Sequence, residues 1–157
     1  MNIYIVFALG IYAGLRKIEI VNARWEWFDF DNKLIVIKEH DDFRLKDYES
    51  RTLPFHHKLT DILSPIKMKD GFLLSSGRKS DGKYRYRYEF KKLFKKVVTV
   101  AKLEWVTPHV LRHTFGSQLA MAGVSIYKIS QWMGHSHVET TKIYAHLQKQ
   151  DEDINSF

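Results

Sequence analysis

The stretch Pro108-His109-Val110-Leu111-Arg112-His113-Thr114-Phe115 opens a predicted helix that runs over Val110–Met121. His109 and Arg112 lie about one helical turn apart, so both side chains can face the same group. Gly134-His135-Ser136 closes the next predicted helix, Ser125–Met133, for which Ser125 is the expected N-cap. Tyr144 follows nine residues after His135, in a last predicted helix over about Val138–Leu147. The second half of the chain is therefore predicted to be helical.

The chain starts with an apolar segment, Asn2 to Leu15, which predicts a buried helix that ends at Gly14. Glycine readily adopts the left-handed conformation found at helix C-termini. A short second helix is predicted over Lys17–Ala23. Arg16 stands between the two helices, and Glu19 comes one turn later. This places a guanidinium and a carboxylate at one helix junction.

Three runs rich in aromatic and branched residues predict strands over Trp25–Phe30, Leu34–Lys38 and Ser50–Phe55. Asp31-Asn32 predicts the first turn, and the polar stretch Glu39–Glu49 a longer one. Helical patterning then returns, with Phe90, Leu93, Phe94, Val97 and Val98 on one face and Lys91, Lys92, Lys95 and Lys96 on another. We therefore predict an α+β fold that is mainly α-helical, with a small three-stranded antiparallel sheet, in one domain over 1–157.

The composition is that of a folded, basic protein. Of its 157 residues, 45% are hydrophobic and 14% aromatic, which excludes a disordered chain, and the net charge is +7. Lysine and arginine in excess favour a polyanionic partner, although many basic proteins bind no nucleic acid. The absence of cysteine excludes disulfides and thiolate metal sites, and fits an intracellular location. The apolar start lacks a basic leader and is shorter than the ~20 residues of a membrane span, so we expect no membrane partner.

Six residues stand out together: Arg16, Lys46, His109, Arg112, His135 and Tyr144. Each alone is ordinary, because single arginines and lysines are usually surface charges and a single tyrosine on a helix is usually core. Their settings are less ordinary. Arg16 follows Ala13-Gly14-Leu15, and Lys46 precedes Arg51-Thr52-Leu53-Pro54. In this order the segments resemble the tyrosine recombinase (phage integrase) family over nearly the whole chain, with Met133 in place of the usual leucine before Gly134.

The resemblance implies a catalytic domain that cuts and rejoins DNA through a 3′-phosphotyrosine at Tyr144. Arg16 and Arg112 would stabilise negative charge on the phosphate, since guanidinium donor forks match phosphate oxygens. His109 would serve in proton transfer, and His135 would donate to the phosphate. Lys46 would protonate the leaving 5′-oxygen. Lys33 and Lys38 stay open as alternatives for that lysine. The covalent intermediate conserves the energy of the cut bond, so neither ATP nor a metal is implied.

Neighbouring residues receive separate interpretations. Glu19 is expected to be a supporting residue that holds the helix of Arg16, and His113 to pack or hydrogen-bond rather than to react. The pairs His109/His113 and His135/His137 do not predict zinc, because no third ligand stands at ligand spacing. Lys83, Arg85 and Arg87 alternate with tyrosines and are candidates for contacts with the DNA backbone. For the lysine-rich stretch that follows, a solvated helix face is an equally good interpretation.

Two other functions compete with a recombinase. A type IB topoisomerase uses nearly the same chemistry, but the compact order from His109-Val110-Leu111-Arg112 through Gly134-His135 to Tyr144 favours a recombinase. A catalytically inactive DNA-binding relative would not need Tyr144. The resemblance further implies double-stranded DNA as partner and a tetramer on DNA. It also implies that the N-terminal DNA-clamping domain typical of the family is absent from these residues.

Overall fold

The computed structural model describes residues 2–40, 43–45, 50–74 and 90–148. Two helices form its centre: α1 (Asn2–Ala13) and α5 (Pro108–Met121), which packs along α1. The apolar sequence of α1 is buried on several sides, as expected for a helix with little polar surface. It ends at Gly14, whose φ of 60° is left-handed, as predicted. The short helix α2 (Lys17–Asn22) follows and matches the prediction to within one residue.

The sheet has the predicted three antiparallel strands: β1 (Phe28–Asp29), β2 (Leu34–Ile37) and β3 (Arg51–Pro54). Its order is β1-β2-β3, and the buried Ile35 of β2 lies opposite Phe28 on one side and Leu53 on the other. The Asp29 carboxylate accepts the backbone N–H groups of Asp31 and Asn32 at 3.1 and 2.9 Å. This closes the predicted turn between β1 and β2.

The structure corrects the first predicted strand. Trp25–Trp27 forms a 3-10 turn, and the strand begins only at Phe28. The Trp25 N–H donates to the Gly71 carbonyl at 2.9 Å, and the Leu73 N–H to Ala23 at 2.8 Å. The chain before β1 is therefore bonded to the segment around Gly71 and not to β2. The helix α3 (His57–Leu63) and the 3-10 turn Ser64–Ile66 were not predicted.

Helix α4 spans Lys91–Val100. Its Phe94 ring stacks on Phe7 of α1 at a centroid distance of 4.6 Å. The four lysines 91, 92, 95 and 96 are exposed, as the periodicity predicts, but Leu93 is exposed as well. The buried stripe of α4 is consequently narrower than predicted.

The remaining helices are α5 (Pro108–Met121) and α6 (Ile126–Met133). The predicted N-cap Ser125 accepts the Lys128 N–H through its hydroxyl at 3.4 Å. Among the described residues, no helix is both long and apolar enough to cross a membrane.

The segment Val138–Leu147, here called the Tyr144 segment, has the predicted bounds but is wound as a 3-10 helix. Its buried or half-buried residues recur at every third position, as Val138, Thr141, Tyr144 and Leu147, and the other six are exposed. Side chains three residues apart eclipse one another in a 3-10 helix. A single edge of the segment therefore faces α5 and α6, and that edge carries Tyr144.

Of the predicted site residues, Lys46, Lys83, Arg85 and Arg87 lie outside the described residues.

Candidate active site

Arg112 lies buried on α5, with 4% of its surface exposed. Its guanidinium donates to the Gly14 carbonyl at 2.6 Å through Nη1 and to the Met133 carbonyl through Nη2. Burial, with the nearby charge of Arg16, lowers the pKa of Arg112 to about 9. That value keeps the side chain cationic near neutral pH. Arg112 thus joins the end of α1 to the end of α6 and puts a fixed positive charge between them.

Arg16 reaches the same place from the turn between α1 and α2. Its Nη2 donates to the Gly134 carbonyl, and its Nη1 donates to Glu19 Oε1 at 3.3 Å. Its backbone N–H also donates to Glu19 Oε2 at 2.7 Å, which caps the start of α2. The Arg16 side chain stays partly exposed, so solvent or a ligand can reach its guanidinium.

Glu19 is almost completely buried, with 1% exposed. Arg51 donates to both of its carboxylate oxygens, at 2.7 and 2.8 Å, in the two-pronged geometry of the strongest arginine–carboxylate pairs. Burial by itself raises the pKa of Glu19, but the hydrogen bonds and charge of Arg51, with the backbone of Arg16, outweigh it and hold the pKa below 4.5. Glu19 is therefore an ionised support for two arginines, in line with the supporting role expected for it.

Arg51 also belongs to the site, although its sequence context does not mark it as a site residue. Besides Glu19, it binds the Trp132 carbonyl through Nε at 2.9 Å. Arg51, Arg112 and Arg16 thus donate to three consecutive carbonyls, those of Trp132, Met133 and Gly134. Cations are favourable at a helix C-terminus, where carbonyls lack partners within the helix. The three guanidiniums fix the turn that leads to His135.

His135 follows Gly134, which ends α6 in a left-handed conformation with φ 64°. Its Nδ1 lies 2.7 Å from the Thr141 hydroxyl of the Tyr144 segment. Burial, followed by the charges of Arg112 and Arg16, lowers the pKa of His135 to about 4, so the ring is neutral near pH 7. When Thr141 donates to Nδ1, the ring carries its proton on Nε2 and can donate it to an anion.

Tyr144 is buried, with 3% exposed, and its hydroxyl lies 2.6 Å from His113 Nδ1. The ring packs directly on Gly116 of α5, where an added Cβ would stand 2.6 Å from Tyr144 Cζ. Burial raises the pKa of Tyr144, while the charge of Arg112 opposes that rise. The hydroxyl is therefore protonated at neutral pH and held in one place.

His109 does not contact Tyr144 directly in this structure. Its Nε2 lies 2.8 Å from His113 Nε2, and its ring is exposed at the N-terminal end of α5. The order of contacts is Tyr144, then His113, then His109. His113 hydrogen-bonds, as expected. Its position beside the tyrosine hydroxyl becomes apparent only from the fold.

A cavity of about 550 Å³ opens beside this cluster. Arg16, Arg51 and His135 line one part of it, and the exposed side of α6 lines another part. Leu45 and Ser50, which flank the segment containing Lys46, also border the cavity. The volume and the cationic lining suit an anionic group bound beside the arginines.

The chain is similar in sequence to known DNA recombinases. It matches the phage integrase family over residues 1–151. It is 33% identical over 150 residues to the tyrosine recombinase XerA of Thermococcus kodakarensis, which covers 89% of this chain and 51% of that protein. The chain spans about half the length of the curated relatives it matches.

The fold is similar to that of two solved recombinase structures. The catalytic domain of bacteriophage HP1 integrase superposes with a TM-score of 0.68 at 22% identity, over 96% of this chain and 78% of that one. The Tn1549 transposon integrase, in complex with transposon right end DNA, gives a TM-score of 0.71 at 21% identity, over 91% of this chain and 54% of that one. At such identities the likeness concerns the fold.

Proposed function

This chain belongs to the phage integrase family, and from that premise we propose that it cuts and rejoins DNA strands through a covalent bond between Tyr144 and a DNA phosphate. The observation that carries the proposal is the convergence of two guanidiniums, a neutral histidine and a buried tyrosine hydroxyl at one junction of helices. In this proposal, residues 1–157 act as the catalytic domain.

The reaction is an exchange of phosphodiesters. The Tyr144 oxygen attacks the scissile phosphorus and the bond to the 5′-oxygen breaks, which leaves a 3′-phosphotyrosine and a free 5′-hydroxyl. Attack by a 5′-hydroxyl on the phosphotyrosine reverses the step and joins the strands. Because the number of phosphoester bonds does not change, the exchange needs no ATP.

Each side chain has a role that its surroundings support. Arg16 and Arg112 stabilise the charge that builds up on the non-bridging phosphate oxygens, since they are cations with planar donor forks. His135 donates from Nε2 to one of those oxygens. By resemblance to the family, Lys46 protonates the leaving 5′-oxygen, with Lys33 and Lys38 as the alternatives.

The proposed substrate is double-stranded DNA. The net charge of +7 favours a polyanion, and the likeness to the Tn1549 integrase in complex with DNA supports this partner. Lys83, Arg85 and Arg87 are proposed contacts to the DNA backbone. Self-association into a tetramer on DNA is proposed from the family resemblance.

A nicked suicide duplex tests the function. Cleavage near the nick releases a short fragment that carries the free 5′-hydroxyl, and its loss traps the covalent intermediate because the step can no longer reverse. We expect an adduct that survives denaturing electrophoresis with the wild-type chain and with Tyr4→Phe, which changes an exposed tyrosine of α1. We expect none with Tyr144→Phe. An adduct with Tyr144→Phe would identify another nucleophile, and DNA binding without any wild-type adduct would make the chain a binding module.

A further inference from the structure

The hydroxyl of Tyr144 contacts a histidine that the roles above leave unused. His113 directly follows Arg112 on α5, and its Nδ1 lies 2.6 Å from Tyr144 Oη. Its other nitrogen, Nε2, lies 2.8 Å from Nε2 of the exposed His109. From this chain of contacts we infer that His113 is the base that takes the proton of Tyr144 during strand cleavage and relays charge outward to His109. The inference rests on the proposed function.

A base is needed because the tyrosine is a poor nucleophile where it lies. Burial raises the pKa of Tyr144 above its ordinary value of 10, so the hydroxyl keeps its proton at neutral pH. An alcohol in that state attacks efficiently only when a neighbouring base removes its proton. His113 can accept, because burial, the repulsion that a proton on His109 would exert and the charge of Arg112 lower its pKa below 6.5, which leaves the ring neutral near pH 7.

One arrangement of protons makes both contacts productive. Tyr144 Oη–H donates to His113 Nδ1, and His113 Nε2–H donates to His109 Nε2. As the Oη–phosphorus bond forms and the bond to the 5′-oxygen breaks, the tyrosine proton moves to Nδ1. The Nε2 proton then passes to His109, which becomes the imidazolium. The leaving 5′-oxygen takes its proton from a separate donor, the role proposed for Lys46.

The same contacts serve the rejoining step in reverse. When the phosphotyrosine bond breaks, the electron pair returns to Tyr144 Oη, which takes a proton back from His113 Nδ1. His109 then returns a proton to His113 Nε2. The relay thus ends each cycle with the three groups as they began.

The charges around His113 favour transfer of a proton from His113 to the exposed His109. On its own helix the ring faces Arg112 and His109, the Tyr144 segment supplies the tyrosine, and the turn after α6 brings His135 close enough to interact. The fixed charge of Arg112 disfavours an imidazolium at His113. His109 lies in the exposed first turn of α5, where water stabilises the charge and offsets the unfavourable effect of the helix N-terminus on a cation.

The pH profile of adduct formation under single-turnover conditions separates a base from a hydrogen-bonding anchor. The wild-type rate should stay high down to about pH 6.5 and fall only below it, as His113 becomes protonated. His113→Gln can still accept the tyrosine hydrogen bond but cannot remove the proton. It should react about 10²–10⁴-fold more slowly at pH 7, and its rate should climb with pH as hydroxide replaces the base.

The control is His146→Gln, an exposed histidine of the Tyr144 segment, whose profile should match the wild type. If His113→Gln is poorly folded by its unfolding temperature, His113→Ala replaces it, and added imidazole should raise its rate. A wild-type-shaped profile in His113→Gln, or no effect of imidazole on His113→Ala, would overturn the inference. Absence of any wild-type adduct would instead overturn the proposed function.

Discussion

Glu19 holds two guanidiniums with one buried carboxylate, so its charge matters more to the fold than that of a surface acid. Removing one partner of a buried ion pair strands the other and costs about 3–5 kcal/mol. We expect Glu19→Gln to lower the free energy of unfolding by about that amount at pH 7. Urea denaturation measures it. Glu139→Gln, which changes an exposed carboxylate paired with Lys142, should leave the free energy of unfolding almost unchanged.

The penalty of Glu19→Gln should depend on pH in a definite direction. The pKa of Glu19 is lower in the folded protein than its ordinary 4.5, so its ionisation stabilises the fold above pH 4.5. That contribution is lost as the pH falls through the folded pKa. The difference between wild type and Glu19→Gln should therefore shrink below pH 4.5. A difference that stays constant at acid pH would mean that the two residues differ in packing and not in charge.

At the level of single residues, a local motif marks some positions before the fold is known. Arg16, His109, Arg112, His135 and Tyr144 stand in short segments with a recognisable spacing, and four of them converge at one junction. Arg51 was noted only as part of the hairpin motif. A charged residue at the start of a strand is ordinary in sequence, and its pairing with Glu19, 32 residues away, arises only from folding. The contact of His113 with Tyr144 spans 31 residues and was unreadable for the same reason.

Among the helices, α5 makes room for the Tyr144 ring at Gly116. An alanine there would raise helix propensity by about 1 kcal/mol, but its Cβ would stand 2.6 Å from Tyr144 Cζ and 3.0 Å from Met133 Sδ. An aromatic ring cannot bend away, so the Tyr144 segment must shift. Gly116→Ala should fold and yet form the adduct about 10²-fold more slowly, as expected for a nucleophile displaced by about 1 Å.

Unfolding temperature and the single-turnover rate of adduct formation check this together. Gln118→Ala alters an exposed position of the same helix and should leave both unchanged. A Gly116→Ala variant that cleaves at the wild-type rate would show that the reaction does not depend on the packing of the Tyr144 ring against α5.

Elements with clear start and stop signals were predicted well. Gly14 ends α1, Ser125 starts α6, and a run of branched apolar residues marks β2. Elements shaped by distant contacts were not. Trp25–Trp27 reads as a strand because tryptophan favours strands, but its backbone is bonded near Gly71. The 3-10 winding of the Tyr144 segment buries every third residue, and this pattern becomes apparent only when the neighbouring elements of the fold are known.

The molecule as a whole concentrates positive charge at one point. Three guanidiniums, of Arg16, Arg51 and Arg112, surround the single carboxylate of Glu19 among the described residues of the site, and His135 is neutral. Two positive charges are thus unbalanced. A divalent oxyanion that binds the folded state should stabilise it.

We expect sulfate, compared with chloride at equal ionic strength, to raise the unfolding temperature. At ten times its dissociation constant, a bound anion adds about 1.4 kcal/mol, or about 3–6 °C for a chain of this size. Sulfate also stabilises proteins generally. Arg16→Gln should therefore keep the general effect and lose the specific part, whereas Lys142→Gln, at an exposed cation, should keep both. An equal response in wild type and Arg16→Gln would mean that the cluster binds no anion.

The 3-10 winding of the Tyr144 segment also fixes the direction in which each side chain points around the helix axis. A 3-10 helix turns about 120° and climbs about 2.0 Å at each residue, so the six steps from Val138 to Tyr144 make two whole turns over about 12 Å. Wound as an α-helix, the same six steps would climb only about 9 Å and leave the tyrosine about a third of a turn out of line. One inserted residue would rotate it as far. The number of residues between His135 and Tyr144 therefore sets the direction of the tyrosine hydroxyl around the helix axis, as well as the distance that the segment spans.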